Sequence, residues 1–219
     1  MLNKNNLGFA GGNNVGYKYA KENLNPDFII VMNNDTLVKD ENFLNKLNDE
    51  HYNQFHIIAP DILTFKGKHQ NPYKTKAITK SEVINGLWRK RFSMIFYSLP
   101  LFYKLKHEKE INNAGVFVNK CMEDVEPHGA AVIYSRRWIE CEDFAFFPGT
   151  FMYYEEDLLY LYIQQKHYRT LYDPLLQIIH LEDMSTNYAH KTQRKKMVFQ
   201  NKMKIQSYKI ILQFMKSMT

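Results

Sequence analysis

The hydrophobic pattern divides the chain into short blocks of two different periods. Residues 27–32 (DFIIVM) read as a continuous apolar run that ends abruptly in Asn33-Asn34-Asp35, which predicts a strand buried on both faces of a sheet. Ahead of it, the glycine- and asparagine-rich stretch 8–14 predicts a turn-rich loop running into a helix over 15–22, with Asn13 or Asn14 as its N-cap. After it, a helix of mixed polarity is expected over 41–50 and a second short strand over 56–60. Strand character resumes at 116–118 and 130–134, a helix starts near Ser135, and another follows Glu155-Glu156-Asp157. Residues 170–172 and 176–180 predict two closing strands. Helix alternating with buried strand is the α/β signature, so one domain is expected over 1–190. Within it, the Lys-rich and aromatic-rich stretch 66–113, with a helix over 81–97, predicts a basic helical insertion. In 191–219, Val198, Ile205, Tyr208, Leu212 and Met215 mark one face of a basic amphipathic helical tail, a long helix or helix pair.

With 219 residues, 45% hydrophobic and 24% charged, the chain is neither a disordered tail, a collagen-like repeat nor a disulfide miniprotein. Its two cysteines, Cys121 and Cys141, fit no zinc or CxxC spacing, which points to a reducing, cytoplasmic compartment. The longest apolar stretch, 92–103, is interrupted by Ser93, Ser98 and Pro100 and falls short of the roughly 20 residues that span a bilayer. The first residues show no targeting pattern. The net charge of +6 is concentrated: residues 66–109 carry eleven Lys or Arg against Glu82 and Glu108, and 191–219 carry eight with no acid. The remaining body is therefore acidic. That distribution suggests an anionic surface for the two basic segments and a small neutral or anionic ligand for the body.

Several positions carry candidate chemistry. Asn33-Asn34-Asp35 follows the strongest strand, and in open α/β sheets ligands bind beyond the carboxyl ends of strands. Asp35 is a hard oxygen donor suited to Mg²⁺ or Mn²⁺, although Asn and Asp equally favour plain turns. The GFAGGNNVG stretch can bring the backbone of Gly11 and Gly12 to a phosphate at a helix N-terminus, or form an ordinary capped loop. Glu155-Glu156-Asp157 offers a general base in aromatic surroundings that would raise its pKa, while first-turn acids also simply stabilise a helix. His180 ends a strand-like run and can complete a metal shell or be structural. His128, before Gly129-Ala130-Ala131, marks either close approach to a ligand or tight packing.

Taken in order, these segments resemble the family 2 glycosyltransferases of GT-A fold, particularly the bacterial rhamnosyltransferase-like branch. The matching residues are 6–16 (NLGFAGGNNVG), the 27–32 strand with Asn33-Asn34-Asp35 at the place of the DXD-type motif, Gln70-Asn71-Pro72, His128-Gly129-Ala130-Ala131, 150–156 (TFMYYEE), and Tyr172-Asp173-Pro174 leading to His180-Leu181-Glu182-Asp183. The resemblance covers roughly residues 3–190. It implies a GT-A-like mixed, mostly parallel sheet flanked by helices, and inverting transfer of a sugar from a nucleotide-diphosphate donor to a hydroxyl of a cell-surface polysaccharide or lipid-linked glycan acceptor. Under it, Asp35 and His180 would hold Mg²⁺ or Mn²⁺ at the diphosphate. Glu156 would be the base, with Glu155 orienting it or sharing its role. Gly11, Gly12, Asn13, Asn33 and Asn34 would border the nucleotide, and His128, Gly129 and Ala130 the donor sugar and acceptor entrance.

The chain departs from the family pattern twice. Asn33 replaces the first acid of the metal motif. The family's first strand and its base- and ribose-binding acid, which precede the GFAGGNN segment, are not found ahead of it here, so an N-terminally truncated fold is expected. A catalytically impaired glycan- or partner-binding module is the alternative function. Peripheral contact of the basic segments with an anionic inner membrane face is expected; no nucleic-acid motif accompanies them.

Overall fold

The computed structural model describes residues 3–98, 117–181 and 193–218. In chain order the elements are α1 (Gly8–Leu24), β1 (Phe28–Met32), β2 (Thr36–Leu37), α2 (Phe43–Leu47), a 3₁₀ turn (Glu50–Gln54), β3 (Ile57–Thr64), α3 (Lys80–Ser98), β4 (Met122–Glu123), β5 (Ala131–Ser135), α4 (Arg136–Cys141), α5 (Glu155–Lys166), β6 (Thr170–His180) and α6 (Gln193–Ser217). The strands form one mixed sheet in the order β1-β5-β3-β6-β2, with β4 also paired to β6.

The α/β class, with a mixed sheet flanked by helices, is the observed architecture, but the sheet is not mostly parallel. Only β3 and β6 run parallel; β1 with β5, β5 with β3, β2 with β6 and β4 with β6 are all antiparallel. An apolar run reports burial on both faces and carries no information about direction. Alternation along the central strands divides the core. Ile29, Ile57, Val132 and Tyr134 face α1, α4 and α5, while Ile58, Ile62, Ile133 and Ile178 face α2 and Phe55, as the two-residue period of a strand requires.

Several boundaries differ from expectation. The stretch 8–14 is no loop: it is the first half of α1. Its glycines disfavour helix, but tertiary contacts outweigh them. Asn6 Oδ1 accepts the Gly8 N–H at 2.9 Å, the Phe9 N–H reaches the Phe151 carbonyl at 2.7 Å, and Ala10 and Tyr17 are buried in the core. Asn14 is not an N-cap; its side chain accepts from the backbone of Ala145 and Phe146 and donates to Phe146 O, pinning that loop to α1. The helix expected over 41–50 shortens to α2 followed by the 3₁₀ turn. The strand at 56–60 extends to Thr64, and the two closing strands merge into β6, with Asp173-Pro174 absorbed where the β3–β6 register shifts between Pro60 and Asp61.

Residues 117–118 are not in a strand; β4 lies further on, and residue 116 lies outside the described residues. The apolar stretch 92–103 and the basic segment 66–113 are described only as far as residue 98. On α6, Ile205, Tyr208, Leu212 and Met215 pack on Val83 and Leu87 of α3 and Leu158 and Leu161 of α5. Gly86 makes that approach possible, since a Cβ there would stand 2.4 Å from the Tyr208 ring.

Candidate active site

Two consecutive tyrosines set the site. Tyr153 and Tyr154 both adopt positive φ, 75° and 66°, a conformation that bulky side chains rarely take and that persists only where surroundings enforce it. Here α6 enforces it. The Tyr208 hydroxyl donates to Tyr154 Oη at 2.6 Å, their rings lie 4.4 Å apart, and Lys204 Nζ sits 4.8 Å from the Tyr153 ring centre. The turn aims the first residues of α5, Glu155, Glu156 and Asp157, at a cavity of about 420 Å³ whose walls include Phe9, Tyr73 and Lys204.

Burial governs the charges there. Glu155 is 4% exposed, and burial followed by the neighbouring Glu156 charge pushes its pKa up to about 7. Its Oε1 has no hydrogen-bond partner among the described residues. Glu156 is also raised by burial, against hydrogen bonding that includes the Gly129 N–H, which donates to Oε1 at 3.1 Å. Asp157 is raised by burial and opposed by Lys74, whose Nζ lies 2.6 Å from Asp157 Oδ1 and 3.4 Å from Glu126 Oε1. Burial works against the Lys74 charge, but the attraction of Asp157 and Glu126 wins and holds its pKa above the usual lysine value. Glu126 is fully buried and pushed up to about 8, by burial first and by Asp157 second.

A second group of polar side chains lies alongside. The β1–β2 turn holds Asn33, Asn34 and Asp35, with the Asn33 N–H bound to Ala130 O at 2.9 Å. The β2–β6 pairing puts Thr36 opposite His180, which brings His180 Nε2 to 3.4 Å from Asp35 Oδ1. His180 Nδ1 is 2.8 Å from Gln70 Oε1, and the His180 ring centre is 6.4 Å from that of His128. His128 in turn meets Tyr73 edge to face at 5.5 Å; its N–H donates to Asn71 Oδ1 at 3.1 Å, and its Nδ1 accepts from Ala130 N at 3.1 Å. Contacts thus run from Asp35 through His180 and His128 to Gly129 and Glu156.

Asp35, His180, His128, Gly129, Ala130, Asn33, Glu155 and Glu156 are therefore gathered on neighbouring elements, with Asn34 exposed in the same turn. Gly11, Gly12 and Asn13 lie part-buried on α1, the helix whose Phe9 lines the cavity. As the fourth and fifth residues of that helix, Gly11 and Gly12 direct their amides into its ladder, not toward a phosphate. Sequence reasoning missed Lys74, Glu126 and Asp157 as an ionic group and Gln70 and Tyr73 as contacts of the histidines. Only the Gln70-Asn71-Pro72 match pointed that way.

The donor set around Asp35 fits a small divalent cation. In the tautomer whose Nδ1–H donates to the Gln70 oxygen, the His180 Nε2 lone pair faces the Asp35 carboxylate. Two acceptors facing each other are satisfied by a cation or a proton between them. Among the described residues no group of three or more such ligands gathers, and Mg²⁺ needs only one or two protein carboxylates where water and substrate phosphates complete its shell. Compared with family models, curated proteins and solved structures, the chain finds no significant match.

Proposed function

We propose that the protein is an inverting, metal-assisted glycosyltransferase that moves a sugar from a nucleotide-diphosphate donor to a hydroxyl of a glycan or lipid-linked glycan acceptor. The observation that carries this reading is the contact path Asp35–His180–His128–Gly129–Glu156, which joins the Asp35–His180 pair to a carboxylate on a cavity. Asp35 and His180 would hold Mg²⁺ or Mn²⁺, which when bound supplies charge neutralisation for the leaving diphosphate. Glu156, its Oε1 fixed by the Gly129 N–H, accepts the hydroxyl proton as the acceptor oxygen bonds to the anomeric carbon and the bond to the diphosphate oxygen breaks. A raised pKa suits this task, because a base titrating nearer neutrality is stronger while still ionised. Glu155, buried and raised to about 7, adjusts the charge beside it. Tyr73 and Phe9 give the cavity apolar walls for the sugar faces.

Peripheral membrane contact is part of the same reading. Among the described residues no helix is long and apolar enough to cross a membrane. On α3, Ile84, Trp88, Phe92 and Ile95 form an exposed stripe at i, i+4, i+8 and i+11, with Arg91 over the Trp88 ring at 5.3 Å. Apolar residues flanked by basic ones suit the interface of an anionic bilayer.

The test is calorimetric titration of UDP, GDP and dTDP with Mn²⁺ into the purified chain and its Asp35→Asn and Glu156→Gln variants, followed by transfer assays. One nucleotide should bind only with metal, binding should be lost in Asp35→Asn, and Glu156→Gln should bind but not transfer. Absence of metal-dependent binding, or full transfer by Glu156→Gln, would refute the reading.

A further inference from the structure

The cavity at Glu156 has a larger neighbour. A space of about 510 Å³ lies between α3, the 74–79 segment and Tyr208 of α6, within the roughly 300–1,000 Å³ typical of small-molecule sites. On α3, Glu82, Asn85, Gly86 and Arg89 fall at i, i+3, i+4 and i+7, so one helical face forms the wall. Lys74 and Lys76 approach from the preceding segment. Glu82, the single acid on this wall, is already engaged: its Oε2 accepts the Thr79 N–H and hydroxyl, each at 2.7 Å, and caps α3. Lys76 and Arg89 are exposed, and among the described residues neither has an ion-pair partner. Among the described residues, the cavity's Lys76 and Arg89 therefore present uncompensated positive charge.

Two contacts tie it to the cavity at Glu156. Lys74 lines the larger space while binding Asp157 of the smaller one at 2.6 Å, and Tyr208 lines the larger space while donating to Tyr154 of the smaller one. A ligand occupying both would set an anionic group beside Lys76 and Arg89 and a hydroxyl at Glu156. We infer that the larger cavity seats a phosphate carried by the acceptor, so that the acceptor is a phosphate ester, not a neutral glycan. The inference rests on the glycosyltransferase reading of the smaller cavity. The guanidinium fork of Arg89 matches phosphate oxygens in pairs, and the donor diphosphate has its own place at Asp35 and His180. The phosphate can belong to a lipid or to a free sugar; its recognition is the same.

Titration of inorganic pyrophosphate in EDTA into the full chain tests the inference. Binding should survive in Asp35→Asn, weaken by about tenfold or more in Arg89→Ala and in Lys76→Ala, weaken similarly in Asn85→Asp, and fall as salt rises. All three of these positions are exposed, and matched melting curves verify folding. Displacement of pyrophosphate by glucose 1-phosphate identifies a soluble acceptor class, and displacement by citronellyl phosphate a lipid one. The inference is overturned if pyrophosphate fails to bind, if the three variants bind as wild type does, if Asp35→Asn alone abolishes binding, or if neither ester displaces it. Failure of the glycosyltransferase reading shows separately, as absence of metal-dependent nucleoside diphosphate binding.

Discussion

Replacing Gly129 with alanine isolates the link between the β5 entry and Glu156, the proposed base. A Cβ at this position would stand 2.5 Å from Glu156 Oε1 and 3.1 Å from its Cδ, well inside ordinary contact. The obstructing atoms are the end of a flexible side chain, so the carboxylate swings away and the backbone stays. What is lost is a charge-assisted hydrogen bond of 3.1 Å, worth about 1.5–3 kcal/mol. Water can replace part of it, so the stability cost should be about 1–2 kcal/mol and the fold should survive. Activity should suffer more, since misplacing a catalytic group by about 1 Å costs on the order of 100-fold in rate. The pH profile gives a second signature. The Gly129 N–H lowers the Glu156 pKa against burial, so removing it raises that pKa and shifts the acidic limb of kcat/KM to higher pH. The assay is transfer kinetics from pH 5 to 9 beside thermal unfolding. A folded Gly129→Ala enzyme with wild-type kcat and an unmoved acidic limb would refute the assignment of Glu156 as base.

Glu155 should leave a mark on stability. Its pKa rises from 4.5 to about 7 on folding, so between those values the folded state binds more protons than the unfolded one and stability falls as pH rises. At about 1.36 kcal/mol per unit, Glu155→Gln should match wild type near pH 5 and exceed it by up to ~3 kcal/mol at pH 8 in urea unfolding; parallel pH dependence of the two proteins would exclude a strained, buried Glu155. Whether the exposed α3 stripe meets a membrane can be read by fluorescence, because the two tryptophans are Trp88, 51% exposed, and Trp138, fully buried. Vesicles containing phosphatidylglycerol should shift the emission to the blue, vesicles of phosphatidylcholine alone should do so much less, and Trp88→Phe should abolish the shift. An unchanged spectrum with anionic vesicles would remove this face from any membrane.

Much of the architecture was legible in residue order. Continuous apolar runs at 27–32, 56–60 and 130–134 located the central strands, and helical spacing located α3 and the packed face of α6, because burial leaves its mark on local sequence. The Asn33-Asn34-Asp35 turn and the first-turn acids of α5 were equally visible. Strand direction was not, since an apolar run is compatible with either neighbour orientation. The helical state of 8–14 was hidden too: glycine and asparagine propensities argue for a loop, and only contacts with residues 145–151 overturn them. The same holds for the chemistry. Pairing of β2 with β6 is what sets Asp35 beside His180, and the Lys74–Asp157 ion pair spans 83 positions of sequence. Residue order by itself determined which side chains and which periodic surfaces were present. Tertiary structure alone decided which charges meet, how deeply each is buried and hence where each titrates, because desolvation and Coulomb energies depend on distances through space.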